Sequence, residues 1–261
     1  LMSKLFKPYF VRKNTIGSRP VILGASQQQM YDIQHRYYIP NNSALFVIGE
    51  FDEKTVREDI EKHFSRWETG PDPLQKYPVP EHPALEKSES FQEYGAVQTV
   101  HMVDAFHGPK LKVDDADTLA FDLISTILGF QSSPLQKELV HTNLASGASF
   151  FSWSQRYTSP LVFNLETTPE NAQKAYEVLQ DLIKRIKKGG FFTESDLKIA
   201  KNSIEVSSAY DRESGQRYVL NLASIWSSTG DLNYYRNYVT DIKKVSLADI
   251  DRAVKKYLSG P

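Results

Sequence analysis

Apolar positions change their period twice within forty residues near the start of the chain. Behind Ser26, a residue suited to an N-cap, Met30, Ile33 and Tyr37 recur at three- and four-residue spacing and predict a helix with these side chains inward. Ile39-Pro40-Asn41-Asn42 ends that pattern, because proline fixes φ and lacks an N–H while asparagine tolerates left-handed backbone. Ala44 to Ile48 is then wholly apolar and stops at Gly49, the signature of a strand buried on both faces. Asp52 offers the next N-cap, and Val56, Ile60, Phe64 and Trp67 return to helical spacing, with Glu53/Arg57 and Glu58/Lys62 as outward pairs.

On either side of this stretch the pattern weakens. Leu5 to Ile22, punctuated by Gly17 and Pro20, predicts an irregular segment. Five prolines between Pro71 and Pro83 argue against helix and central strand, and read as a linker. Beyond it, Glu86 to Tyr94 and Ala96 to Asp104 read as paired extended segments around Gly95. Asp114 to Leu128 carries Leu119, Ala120, Leu123, Ile124 and Ile127 on one helical stripe, with Gly129 expected to stop it in left-handed backbone.

Ser133-Pro134-Leu135-Gln136 joins a cap, a first-turn proline and a capping-box glutamine, predicting a helix to about Thr142 that Asn143 ends. Ser149 to Ser154 and Leu161 to Glu166 read as strands around a turn. A long helix with Ala175, Leu179, Leu182, Ile183 and Ile186 inward should close at Gly189-Gly190. Three more helices follow: one started by Thr193 with Asp196 and running through Leu197, Ala200, Ile204 and Val206, one marked by Tyr218, Leu222, Ile225 and Trp226, and one from Ser246. This order predicts an α+β fold, a two-layer sandwich whose mostly antiparallel sheet is covered on one face by helices.

Composition narrows the function. With 31 basic against 32 acidic residues among 261, no nucleic-acid footprint or attraction to an anionic membrane is expected. The absence of cysteine excludes disulfides, thiolate metal sites and a cysteine nucleophile, and leaves the compartment open. No apolar run approaches the ~20 residues of a membrane helix.

A tyrosine pair at Tyr37-Tyr38, Pro40-Asn41-Asn42, an apolar strand ending in Gly49, an acidic turn and a helix closing on Phe64 together resemble the insulinase and pitrilysin family of zinc metallopeptidases, the inverzincins. A faint internal period fits that family's tandem α+β units: Ser26 overlies Ser246 at an offset of 220, and Tyr37 then falls on Tyr257. The resemblance implies that residues 1–68 are the C-terminal part of a preceding copy, 69–85 a Pro-rich linker, and 86–261 a second copy lacking its final strand. Ala44 to Ile48 would then fill the vacant place in the second sheet, within the chain or by strand exchange with another copy.

The family binds zinc through H-x-x-E-H on a helix. This sequence has no such motif, and its histidines (His35, His63, His82, His101, His107, His141) never fall within four positions of one another. The zinc would belong to the parent enzyme, with no catalytic residue, metal ligand or cofactor in this chain. The family's arginine and tyrosine clamp for substrate is also replaced, with Val140 at the arginine's place and Ser146 or Gly147 near the tyrosine's. Arg156 and Tyr157, in a turn between two predicted strands, are the remaining candidates for peptide contact, although exposed turn residues are commonly only solvated. The resemblance implies a non-catalytic domain that walls a peptide chamber, with a peptide and the other half of the peptidase, or a sister subunit, as partners. The alternatives are a structural or binding subunit of the same family without zinc anywhere, and an unrelated α+β binding module.

Overall fold

The computed structural model describes residues 1–6, 16–112, 114–157 and 159–259. Among these, β1 (Val100–His107), β2 (Gly147–Ser152) and β3 (Pro160–Thr167) form one antiparallel sheet in the order β1-β3-β2. The register places Met102 opposite Leu165, Phe106 opposite Leu161 and Phe150 opposite Phe163. Strand side chains alternate between faces, so these residues share one face and meet the helices there.

The centre of the helical layer is α6 (Asp115–Gly129). It packs against β2 and against α8 (Glu194–Glu213), α10 (Leu232–Lys244) and α11 (Leu247–Tyr257). Phe121, Leu123, Ile124 and Leu128 of α6 are sealed from solvent, as are Leu179 and Leu182 of α7 (Ala172–Lys187). Each such side chain contributes roughly 1.5–3 kcal/mol of transfer free energy. At the start of α6, the buried Asp117 carboxylate takes Arg252 at 3.1 Å and Lys256 at 3.0 Å, tying α6 to α11. The remaining helix of this layer, α9 (Gly215–Thr229), ends at Gly230 in left-handed backbone at φ 68°.

The chain ahead of β1 is built differently. It holds α1 (Met2–Leu5), α2 (Arg19–Gly24), α3 (Gln27–Tyr37), α4 (Glu53–Phe64) and the single turn α5 (Pro73–Lys76). Leu5 and Phe6 are buried beneath Val79, Leu85 and Ala105, on the sheet face away from the helices. The Phe6 ring stacks on His107 at 4.6 Å, and His107 Nε2 lies 2.8 Å from the Leu5 carbonyl. Helices α2, α3 and α4 contribute no buried residue.

Several expectations change. Ala44 to Ile48 forms no strand and pairs with no strand of the sheet, so within this chain it does not fill a vacant place; an apolar run becomes a strand only where a partner supplies the backbone hydrogen bonds. Met30, Ile33, Tyr37, Phe64 and Trp67 are exposed for the same want of a partner. Glu86 to Tyr94 is irregular, and β1 begins four residues later than the expected segment.

The irregular opening holds α2, with Pro20 in its first turn, while residues 7–15 lie outside the described residues. The Pro-rich linker likewise holds α5, because Asp72 caps it and Pro73 needs no N–H at that position. Gly129 is not left-handed, and the chain leaves α6 through extended Phe130. The helix expected after Ser133 is a π-helical turn, Gln136–Val140, ended by Asn143 at φ 60°. A further helix, α10, stands between the second and third of the helices expected after Thr193.

Candidate functional site

Two surfaces present exposed polar side chains beside apolar or aromatic ones. The first is the turn between β2 and β3. It is pinned by Trp153 N donating to the Pro160 carbonyl at 3.1 Å, Gln155 N to Ser159 Oγ at 3.0 Å, and Leu111 N to the Gln155 carbonyl at 3.1 Å. Gly108 lies so close that a Cβ there would stand 2.6 Å from the Ser159 carbonyl oxygen, which keeps larger residues out. On this fixed turn Arg156 is exposed and Tyr157 half-buried, the guanidinium carbon 5.4 Å from the ring centroid. This is an outward cation–π pair.

The second surface is an open face along α8, with Phe130 from another element beside it and Asp211 and Arg217 also in its lining. Its apolar side chains are Ile199, Val206 and Tyr210, at spacings of seven and four, each more than half exposed. Between them stand Asn202, Ser203 and Ser207, whose side chains make no hydrogen bond to the described residues. Arg217 sits 3.8 Å from Asp211, which also accepts from Asn221 Nδ2 at 3.3 Å.

The two surfaces are not brought together. The turn is bonded to residues just before α6 and the α8 face touches Phe130 just after it, so the helix length separates them, about 22 Å at 1.5 Å per residue. Sequence reasoning missed the α8 face. Its only local signal was the second, outward apolar stripe on α8. The edge of β2 is not a third surface: Gln136 Nε2 reaches across and donates to the Ala148 carbonyl at 2.7 Å.

Two half-buried carboxylates are raised. Asp122, on α6, accepts from Tyr238 Oη at 2.9 Å, and burial pushes its carboxyl up to about 7 despite that hydrogen bond. Asp104, on β1, is also raised by burial, against the opposing hydrogen bond donated by Gln180 and the field of Lys187. Both polar contacts lie in the seams between elements.

Two histidines meet, His82 and His107, their rings 4.6 Å apart and both against Phe6, and the other described histidines with printed contacts lie elsewhere. His101 stands near Glu166 at 4.0 Å, His107 and His82 pack with Phe6, His35 lies 2.8 Å from the Tyr31 carbonyl, and His141 lies near Gln131. Among the described residues, no three His, Cys, Asp or Glu side chains come together as a metal-ligand group.

Three antiparallel strands under a helical layer, with an open mixed face on that layer, define an α+β domain whose free chemistry is suited to surface contact. The family model described as the peptidase M16 inactive domain matches residues 24–204, and the chain belongs to that family. A protease from Helicobacter pylori superposes with a TM-score of 0.79 at 24% identity, over 93% of this chain and 59% of that one. A peptidase M16 inactive domain from Pseudomonas fluorescens gives 0.83 at 20%, over 98% and 60%. A chain of complex III2 from Candida albicans, with Inz-5 bound, gives 0.81 at 17%, over 98% and 62%. The chain thus spans about three fifths of the length of these structures. No curated protein matches it. The zinc that the family's peptidases imply does not fit the residues present, since the sequence lacks H-x-x-E-H and, among the described residues, no third ligand side chain joins any pair of histidines.

Proposed function

We propose that this inactive domain serves as one wall of a peptide-digesting chamber, contacting peptide without cutting it, while hydrolysis takes place on a zinc-bearing half outside this chain. One observation carries the reading: a chain of the inactive-domain family, whose sequence lacks H-x-x-E-H, presents an open mixed apolar and polar face along α8 and an outward Arg156–Tyr157 pair. Residues 1–68 are read as the tail of a preceding copy, 69–85 as the linker and 86–261 as the copy itself. The bare apolar faces of α3, Ala44 to Ile48 and α4 support that division, since they are the surfaces a preceding sheet and its helices would cover.

The test is hydrolysis of a long fluorogenic peptide by the chain alone. The expected result is none. Chelator-sensitive cleavage would overturn the reading. A second reading, a structural subunit with no peptidase activity in any partner, is favoured by the likeness to a chain of complex III2. The two part on whether the sequence preceding Leu1 in the full protein carries H-x-x-E-H.

A further inference from the structure

We infer that His82 and His107 form a proton-operated latch: while both imidazoles are neutral they hold the strap of residues 1–6 on the back of the sheet, and protonation of the pair releases it. The inference goes beyond the chamber reading and does not depend on it. Three segments far apart in sequence meet at this point. The Phe6 ring, 1% exposed, stacks on His107 at 4.6 Å and stands edge-on to His82 at 5.1 Å, and the two imidazoles are edge-on to each other at 4.6 Å. Leu5 and Phe6 are the buried residues of this cluster, with Met2, Val79, Leu85 and Ala105 packed around them. So small an apolar anchor places the strap at the low end of local stability, where a change of charge at its centre decides whether it stays.

The polar contacts fix which form of the pair the site accepts. A carbonyl only accepts, so His107 Nε2, 2.8 Å from the Leu5 carbonyl, carries a proton and donates it. Nδ1 is left to take the second proton, and no described residue bonds to it. Burial holds His107 below the ordinary histidine range, with the charge of His82 acting in the same direction and the Leu5 carbonyl against both.

The charged groups on the surrounding elements are engaged elsewhere. On the strap, Lys4 lies over the Phe91 ring at 4.3 Å, and beside His82, Glu81 faces Lys110 at 3.4 Å. On β1, Asp104 is on the opposite face with Gln180, and His101 stands near Glu166 at the other end of the strand. Pro160, across from His107 on β3, carries no charge. Two imidazolium rings would therefore repel each other inside a half-buried cluster. A histidine that the fold keeps neutral contributes fully above the ordinary value of 6.5, and that contribution is lost as pH falls below it. Asp122 takes up its proton on the same descent and steadies the core, so release of the strap is distinguishable from general weakening by acid.

The experiment is amide hydrogen exchange of the 261-residue chain at about pH 7.5 and about pH 5, read by mass spectrometry and divided by the intrinsic rate at each pH. Protection of the Leu5 and Phe6 amides, which bond to the Leu1 and Met2 carbonyls, should fall at least about fivefold on acidification while β3 keeps its protection. His107→Gln retains a donor for the Leu5 carbonyl without a titrating ring, and should remove most of that fall. His82→Gln leaves the Leu5 bond and the Phe6–His107 stack in place, and should reduce the fall to less than about threefold even if His107→Gln loosens the strap at neutral pH. Equal protection at both pH values in the parent chain overturns the latch, as does a full fall retained by His82→Gln. A loss shared by β3 would mean acid unfolding of the whole domain and overturns it too.

Discussion

Helices α3 and α11 are nearly the same element set in two environments. Each has eleven residues, and each opens on a serine whose hydroxyl accepts from the third residue's N–H while that residue's side chain accepts from the serine N–H. They lie 220 positions apart. In α11, Ile250 and Ala253 are fully buried and Val254 is 1% exposed, packed with α6. In α3, Met30 is 61% exposed and Ile33 49%. The local code for a helix with an apolar stripe is therefore complete in both. What differs is whether the chain supplies the surface that the stripe was patterned for.

The largest expected difference follows from that contrast. Ile250→Ala should cost about 2–5 kcal/mol in urea unfolding, because it removes a sealed side chain from a core with no room to relax. Ile33→Ala should stay within about 0.5 kcal/mol. Equal losses at the two sites would break the comparison and mean that α3 is covered in solution, by another copy or by a segment outside the described residues.

The ion pairs sharpen it next. Asp117→Ala strips the α6 end of its bonds to Arg252 and Lys256 and should cost roughly 1–3 kcal/mol, below the figure for fully buried pairs because both cations are half-exposed. At the offset of 220, Asp32 and Arg36 of α3 stand where Arg252 and Lys256 stand in α11. Arg36 lies 4.5 Å over the Tyr77 ring, and Asp32 accepts from Gln28 Nε2 on its own helix. Asp32→Ala should leave global unfolding unchanged.

A pH effect follows from the covered region. Asp122 is raised by burial to about 7, whereas an unfolded chain carries it near its ordinary carboxylate value. The folded state therefore binds the extra proton. The stability this provides is fully present below about pH 4, falls as pH rises toward 7, and is gone above it. Asp122→Asn keeps an acceptor for Tyr238 and removes the charge, so it should stabilise the chain by roughly 1–3 kcal/mol at pH 8 and by little at pH 4. A gain that did not depend on pH would show that the aspartate is neutral or well hydrated throughout.

How far the sequence was readable divides along the same line. The inward stripes of α6, α7 and α11 were legible because one face of each is apolar and the other polar. For α8 and α9 the existence of the helices was legible but not their inward face, because α8 carries apolar residues on two faces and α9 offers no single stripe. The α8 face stayed hidden for a related reason: Phe130 reaches it from another element. Helix α10 was lost because Tyr234, Tyr235 and Tyr238 show half-polar side chains whose burial depends on α6 and α9. Of the proposed contact residues, the sequence reached the turn holding Arg156 and Tyr157, whose anchoring by Leu111 and Ser159 no local pattern encodes.

The smallest effect isolates the local code from its surroundings. Removing an N-cap hydroxyl typically costs about 1 kcal/mol of helix stability wherever the helix lies. In α11 the loss must appear in global unfolding, since the helix cannot fray without uncovering Ile250 and Val254, so Ser246→Ala should lower the urea midpoint. In α3 nothing buried depends on the first turn, so Ser26→Ala should leave the midpoint in place and speed amide exchange only at the start of α3. If Ser26→Ala moved the midpoint as far as Ser246→Ala, the capped turn of α3 would be coupled to the core, and the contrast between the two helices would be one of degree.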